Sequence, residues 1–204
     1  LDLGVWILEE AGRMAGRLVE MTGRRDVVVR VSLSARQLRD PLLPDLVTRA
    51  LALGAIDPSN LCLEITETTL MSDVEEVHAV LAQLRGLGVR LAVDDFGTGF
   101  SSLAYLQRFP VDILKIDRSF VTGLGIDPQA TAIVASIIGL AEGLGLEVVA
   151  EGVEEQRQVD VLAELGCRRV QGYFFARPAP LAELVGRFPA GGGGAGGVDG
   201  GAVG

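Results

Sequence analysis

The feature that most constrains the fold is a repeated alternation of apolar strand patterns with segments of helical period. Residues 61–65, 89–93 and 146–150 are almost wholly apolar, as strands covered on both faces are. A segment of helical period follows each of these runs. The alternation predicts an α/β protein with a parallel sheet of about six strands. An open doubly wound sheet and a (β/α)8 TIM-like barrel both fit that count.

The predicted elements cover most of the chain. In the first helix, Trp6, Ile7, Ala11, Met14, Leu18 and Val19 recur at helical spacing and predict its packed face, and Gly54 is predicted to stop the second helix. Asp73 is the candidate N-cap of the third. The predicted strands cover residues 27–33, 61–65, 89–93, 112–116, 146–150 and 169–175, and the predicted helices cover 3–21, 41–53, 73–84, 101–107, 131–143, 155–165 and 181–188.

The predicted domain covers residues 1–189, and the remaining residues form a separate tail. From residue 190 onward the chain is almost wholly Gly, Ala and Val. Such a composition cannot bury enough surface to offset the entropy of the chain, so residues 190–204 are predicted to be disordered.

A polar side chain lies at or near the carboxyl end of each predicted strand. In a barrel, functional groups gather at the carboxyl ends of many different strands, and six polar residues on six strands favour the barrel over the open sheet. Any one of them has an ordinary structural role available, but together they predict a functional mouth. The six are Ser32, Glu64, Asp94, Lys115, Glu151 and Gln171.

Two of the carboxylates, Asp94 and Asp95, are adjacent in the sequence. They repel each other unless a divalent metal or a shared proton lies between them. For an isolated Asp-Asp pair, a helix cap beside a solvated neighbour explains the pattern equally well. The polar ends of the other strands favour the metal, and oxygen ligands favour Mg²⁺ or Mn²⁺ over Zn²⁺.

Composition narrows the classes of partner and compartment. A formal net charge of −9 disfavours DNA, RNA and anionic membranes, although a small anionic ligand held through metals remains compatible. The longest apolar stretches, such as residues 133–141, are too short for a membrane span. Cys62 and Cys167 form no Cys-x-x-Cys pattern, which predicts neither a zinc site nor a disulfide framework and fits a reducing cytoplasm. The chain opens without Met inside a helical pattern, and we interpret it as a piece of a longer protein.

Six segments spread over the chain before the tail resemble the EAL domain, the cyclic di-GMP phosphodiesterase family of bacterial signalling. A lone Asp-Asp-Phe-Gly is not specific, because protein kinases carry a similar tripeptide, but the six together are. The sequence contains neither a glycine-rich phosphate loop nor a kinase catalytic-loop motif, so a kinase-like activity is set aside. The segments are SLSARQL from Ser32, LEITET from Leu63, DDFGTGFSSL from Asp94, LKIDRSF from Leu114, AEGVE from Ala150 and QGYFFARP from Gln171.

The resemblance implies a barrel that holds two divalent cations, Mg²⁺ or Mn²⁺, and hydrolyses cyclic di-GMP to linear pGpG. By this resemblance Glu64 and Asp94 would ligate the first cation, and Asp94, Asp95 and Glu151 the second. Glu151 would also be the general base, and Lys115 would contact the attacking water.

The same resemblance implies several supporting roles. Glu67 would hold the loop of residues 96–101 in its working shape. Asp117, Gln171 and Arg36 would contact the substrate, although Asp117 and Gln171 could equally be buried hydrogen-bonding groups. A cytoplasmic location, an upstream sensory or GGDEF-type cyclase domain and a homodimer also follow from the family.

The match breaks at three places. The sequence contains no Glu-Ala-Leu, whose Glu is a metal ligand in the family, so we expect the first strands of the barrel to be absent. Ser32 stands where the family has a metal-binding Asn, and Arg30 adds a cation where the family has an apolar or small residue. Two hypotheses follow: a metal-dependent phosphodiesterase, or a degenerate module that binds the nucleotide or a protein partner without hydrolysing it.

Overall fold

A computed structural model describes residues 3–71, 74–99, 106–181, 183 and 199–200. Its strands form one parallel sheet in which every strand pairs with the next along the chain. A doubly wound sheet reverses its strand order at a switch point, whereas a strand order that follows the chain is that of a (β/α) barrel. The barrel prediction is therefore confirmed. The strands are β1 Val29–Leu33, β2 Leu61–Thr66, β3 Arg90–Phe96, β4 Ile113–Ile116, β5 Glu147–Ala150, β6 Arg169–Val170 and β7 Asp199–Gly200.

The helices alternate with the strands as predicted. Three of them span only four residues each, too short for a 3.6-residue pattern to reveal, and these were not predicted. One of the three begins with a reciprocal capping box between Ser34 and Gln37. The helices are α1 Leu3–Thr22, α2 Ala35–Leu38, α3 Leu43–Gly54, α4 Glu67–Leu70, α5 Val74–Gly86, α6 Arg118–Val121, α7 Pro128–Leu144 and α8 Gln156–Glu164, with a 3-10 turn at Pro58–Asn60.

The sheet has two covered faces. The outer face packs on the helices and carries the large apolar residues of the strands, such as Leu63, Leu91 and Leu114. The inner face carries a small separate cluster of Cys62, Ala92, Ile113 and Val149. Since side chains alternate along a strand, the residues two positions further along each of these strands lie on the same inner face. Those residues are Glu64, Asp94, Lys115 and Glu151.

The predicted packed face of α1 was partly wrong. Trp6 is 49% exposed and Ile7 is 39% exposed, whereas Leu8, Ala11, Ala15 and Leu18 are buried. The buried face is rotated because α1 crosses α3 at very short range. A Cβ atom on Gly12 would lie 2.1 Å from the carbonyl oxygen of Ala50, so this contact selects the small residues of α1.

Helix α3 ends at Gly54 as predicted, but Gly54 does not supply the left-handed cap conformation. It is the last helical residue, and Ala55 takes the left-handed cap conformation with φ of 48°. A Cβ on Gly54 would lie 2.2 Å from the carbonyl oxygen of Gly12. The glycine is therefore required by the crossing of the two helices and not by the end of the helix.

Two strand ends differ from the prediction. Strand β3 runs on to Phe96, so Asp94 and Asp95 lie within it. Strand β6 ends at Val170 and not at residue 175, because the chain turns and the backbone N–H of Phe174 donates to the carbonyl oxygen of Val153.

Some predicted features lie outside the described residues: Asp73, most of the predicted helix 101–107, and residues 182 and 184–188 of the last predicted helix. In the tail, Asp199–Gly200 pairs with β6, which differs from the predicted disorder at these two residues, and the remainder of 190–204 is also outside the described part. Among the described helices, none combines the length and apolarity needed to cross a membrane.

Candidate active site at the carboxyl ends of the strands

Lys115 stands at the centre of a cluster formed by four neighbouring strands. Its side chain is 4% exposed, and its Nζ lies 2.8 Å from Glu64 Oε1, 2.8 Å from Asp94 Oδ1 and 2.7 Å from Glu151 Oε1. Three of the residues lie on β2, β3 and β4, and Glu151 directly follows β5; the parallel pairing of these strands puts their carboxyl ends side by side. The structure thus brings together four of the residues singled out from the sequence.

The surrounding carboxylates determine the protonation state of Lys115. Burial alone would lower the pKa of Lys115, but the negative charges of Glu64 and Glu151, with hydrogen bonds to Asp94 and Glu151, raise it above its ordinary value. Lys115 is therefore a permanent cation and not a proton acceptor at neutral pH.

Glu151 experiences the opposite balance. Burial raises its pKa, the nearby charge of Lys115 and a hydrogen bond from it oppose that shift, and the charges of Asp94 and Glu64 add to it. The net result is a pKa above the ordinary value for a glutamate. A carboxylate of raised pKa is a better proton acceptor than one on the surface.

Asp94 and Asp95 point into the same region although they are consecutive residues of a strand. In a regular strand, consecutive side chains point to opposite faces. Here the pairing of β3 with β4 is irregular between Val93 and Phe96, and Asp95 has a left-handed φ of 54°. This local distortion lets both carboxylates converge, and Asp94 Oδ1 accepts a 3.1 Å hydrogen bond from the backbone N–H of Asp95. Burial, then the charges of Asp94 and Asp117, raise the pKa of Asp95.

The convergence creates a group of oxygen ligands. One carboxylate oxygen from each of Asp94, Asp95 and Glu151 lies within 4.8 Å of the other two. Carboxylate oxygens are the ligands that hard cations such as Mg²⁺ and Mn²⁺ prefer. The donor type, the spacing and the mutual repulsion of these groups all fit a divalent cation.

Glu67 secures the loop that follows β3. It is 2% exposed at the start of α4, and its Oε2 accepts a 2.9 Å hydrogen bond from the backbone N–H of Gly97, whose φ is 96°. A Cβ on Gly99 would lie 3.1 Å from Glu67 Oε1. The structure therefore places Glu67 against the first part of the loop that it was predicted to hold, and residues 100–105 lie outside the described part.

The other predicted site residues lie around this cluster. Ser32 is exposed on β1 and pairs in register with Glu64. Gln171 Oε1 is buried with no hydrogen-bond partner in the described part of the chain. Asp117 caps α6 by accepting a 3.0 Å hydrogen bond from the backbone N–H of Ser119, which gives it a structural role. Arg36 is exposed on α2, outside the ion-pair cluster.

Two features of the site were not predicted from the sequence. Arg30 was singled out as an added cation, but its contact with Glu64 was not predicted: its side chain is 7% exposed, and its Nε lies 3.5 Å from Glu64 Oε1. Arg30 precedes Ser32 by two residues and so shares its face of β1. Gly152, next to Glu151, has φ of 69°, and a Cβ there would lie 2.5 Å from Arg118 Cβ, so Arg118 covers the backbone beside Glu151.

Comparison with known proteins relates this chain to a family. The family model described as the EAL domain matches residues 1–178. The bifunctional diguanylate cyclase/cyclic di-GMP phosphodiesterase MucR of Pseudomonas aeruginosa is 43% identical over 185 residues, which are 91% of this chain and 27% of MucR. The chain thus spans only about a quarter of the length of this relative.

Solved structures show the same similarity. The MucR phosphodiesterase in complex with cyclic di-GMP superposes with a TM-score of 0.85 at 43% identity, over 90% of this chain and 74% of that one. The complex of Klebsiella pneumoniae BlrP1 with manganese and cyclic di-GMP at pH 6 gives a TM-score of 0.77 at 32% identity, over 85% of this chain and 44% of that one.

Proposed function

This chain belongs to the EAL domain family, and from that premise we propose that it hydrolyses cyclic di-GMP to linear pGpG with the help of divalent cations. The observation that carries the proposal is the convergence of Glu64, Asp94 and Glu151 on Lys115, with Asp95 drawn into the same mouth. The similar MucR phosphodiesterase has been solved in complex with cyclic di-GMP, which supports this choice of substrate.

The carboxylates of this mouth would hold two cations, Mg²⁺ or Mn²⁺. Glu64 and Asp94 would hold one, with the Ser32 hydroxyl beside them, and Asp94, Asp95 and Glu151 would hold the other. Bound divalent cations lower the pKa of water and neutralise charge that develops on a phosphate.

Side chains of the mouth would position the attacking water and accept its proton. Glu151 would accept the proton of the attacking water, for which its raised pKa is suited. Lys115 would donate a hydrogen bond to that water while its charge keeps three mutually repelling carboxylates in place. Glu67 would keep the loop after β3 closed against the mouth through its bond to Gly97.

Recognition of the nucleotide would use polar groups at the rim of the mouth. The buried acceptor Oε1 of Gln171 lacks a hydrogen-bond partner in the described structure, so it is suited to receive an N–H group of the ligand. Arg36, on the helix after β1, would meet a phosphate, and Asp117 would add an acceptor beyond its capping bond.

A second candidate function is binding without hydrolysis. It is favoured by Ser32 in the position of the family's Asn and by the contact between Arg30 and Glu64, which occupies a carboxylate that the first cation would need. The chain would then serve as a receptor for cyclic di-GMP or as a docking module for a protein partner.

The two candidates are separated by chromatographic detection of pGpG after incubation with cyclic di-GMP and Mn²⁺. Glu151→Gln is the test variant, and Glu164→Gln, an exposed residue at the end of α8, is its control. Product from the parent and from the control, but not from Glu151→Gln, supports the phosphodiesterase. Nucleotide binding by a folded parent that yields no product supports the receptor.

The setting of this domain is also proposed from its relatives. The relative MucR is a bifunctional diguanylate cyclase/cyclic di-GMP phosphodiesterase and is much longer than this chain. We infer a longer cytoplasmic protein with an upstream sensory or GGDEF-type cyclase domain, and a homodimer as its assembly.

A further inference from the structure

Arg30 is a buried cation on the inner face of the barrel. It lies on β1 in register with Cys62 of β2, and Cys62 belongs to the inner apolar cluster. Residues in register on neighbouring parallel strands point to the same face, so Arg30 projects into the barrel, two residues before Ser32 on the same face. Its side chain is only 7% exposed.

The guanidinium of Arg30 is incompletely satisfied. Its Nε and Nη1 atoms are buried and have no hydrogen-bond partner in the described part of the chain. Guanidinium stays charged at any pH at which a protein folds, and a buried charge requires a compensating one. Glu64 provides that compensation, with its Oε1 at 3.5 Å from Arg30 Nε, which is an ion-pair distance and too long for a hydrogen bond.

Glu64 therefore has two cationic neighbours at one oxygen. Lys115 Nζ lies 2.8 Å from the same Oε1 that faces Arg30. In the weakly screened interior, a fixed positive charge at this distance attracts the carboxylate and repels any further cation that approaches it. Asp95 has no ion pair with Arg30 in the described structure, and Glu151 pairs with Lys115, so the effect falls on the Glu64 side of the mouth.

We propose that Arg30 is a positioning residue that holds Glu64 through this ion pair and lowers the affinity of the Glu64 side of the mouth for a divalent cation. This inference rests on the cation site of the proposed function. It makes the mouth asymmetric: the side formed by Asp94, Asp95 and Glu151 fills first, and the Glu64 side fills only at higher cation concentration.

The test measures the binding of Mn²⁺ alone, without nucleotide, from the electron paramagnetic resonance signal of free Mn²⁺. Arg30→Met removes the charge without adding a ligand oxygen, and Arg30→Ala is a second neutral variant of the same kind if the first does not fold. We expect either to tighten the weaker Mn²⁺ site about tenfold, the scale of changes to groups behind metal ligands.

Two controls isolate the charge of Arg30. Arg30→Lys keeps a cation at the position, so we expect it to leave the weaker site weak. Arg85→Gln removes an arginine that is 51% exposed and pairs with Asp112 near the amino end of β4, so we expect parental affinity. In a Glu64→Gln background, Arg30→Met is expected to have a smaller effect, because the ion pair through which Arg30 holds the carboxylate is gone.

The outcomes distinguish this inference from the proposed function. If the parent binds Mn²⁺ and both neutral variants bind it with the same affinity, the role of Arg30 is overturned while the cation site stands. If neither the parent nor the neutral variants bind Mn²⁺, the cation site and the role of Arg30 both fall. Binding that appears only in the neutral variants supports the inference most strongly.

Discussion

At the scale of single residues, Glu151 illustrates a conflict between stability and function. Its folded-state pKa lies above the ordinary glutamate value of 4.5, chiefly through burial. A group of this kind contributes stability that is fully present below its unfolded pKa and is lost as the pH rises through its folded pKa. The ionised form needed for cation binding and proton acceptance is therefore the less stable one.

Glu151→Gln is expected to stabilise the cation-free protein at neutral pH, because the amide cannot ionise. The difference from the parent in free energy of unfolding should be largest at about pH 7 and shrink towards about pH 4, where Glu151 itself takes up a proton. Urea unfolding at several pH values in the presence of a chelator measures this difference, with Glu164→Gln as the matched control. A variant less stable than the parent at pH 7 and equal to it at pH 4 would contradict the direction of the shift.

The residues of the site differ in how far the sequence could predict them. Glu64, Lys115 and Glu151 could be placed because parallel strands have their carboxyl ends at one edge and period-two alternation fixes which face each side chain takes. The convergence of Asp94 with Asp95 could not, since alternation sends neighbours to opposite faces and only the left-handed Asp95 overrides it. The contact between Arg30 and Glu64 depends on the pairing of β1 with β2, which the residue types alone do not specify.

At the scale of elements, the crossing of α1 and α3 leaves no room for an added methyl group. Gly12→Ala would place a methyl group 2.1 Å from the carbonyl oxygen of Ala50, and backbone cannot move aside cheaply. We expect a loss of about 1–3 kcal/mol in stability, the usual cost of overpacking. Gly139→Ala, in the middle of α7 with nothing within 4 Å of the added atom, should instead gain about 0.5–1 kcal/mol.

Thermal or urea unfolding of these two variants checks the contrast. Both changes add the same methyl group to a helix, so helix propensity acts equally in each and only the surroundings differ. Equal stabilisation by both would mean that α1 and α3 do not approach as closely as the structure has them.

The same crossing explains where prediction of the elements failed. Periodicity located the long helices and the strands, because their apolar residues recur over several turns or over a whole buried run. It partly misassigned the buried face of α1, since the small residues Gly12 and Gly16 carry the contact and weigh little in a pattern of large apolar side chains. It overran β6 because Tyr173 and its aromatic neighbours suit a strand, although the chain turns there.

At the scale of the whole molecule, the inner face of the sheet is built in three layers. Glu147 pairs with both Arg90 and Arg169 at the amino ends of the strands, the small apolar cluster lies in the middle, and the carboxylate mouth lies at the carboxyl ends. The sequence indicated the mouth and the strand order. The charged layer at the other end links residues 57 positions apart in the chain, and single-sequence patterns do not reveal such a pairing.

Thiol labelling of the two cysteines tests whether the interior of the barrel opens as one cooperative unit. Cys62 lies in the middle layer with its pKa raised to about 11 by burial, and the pKa of Cys167, which is also buried, is raised for the same reason. Thiolate is the reactive form, so both should resist a thiol reagent at about pH 8 until the protein unfolds. We expect equal labelling rates in the parent, and the same rate for Cys62 in a Cys167→Ser variant, if the barrel opens as one cooperative unit. Faster labelling of Cys62 than of Cys167 would show that the interior beneath the carboxylate mouth opens without the rest of the fold, and would contradict a single cooperative core.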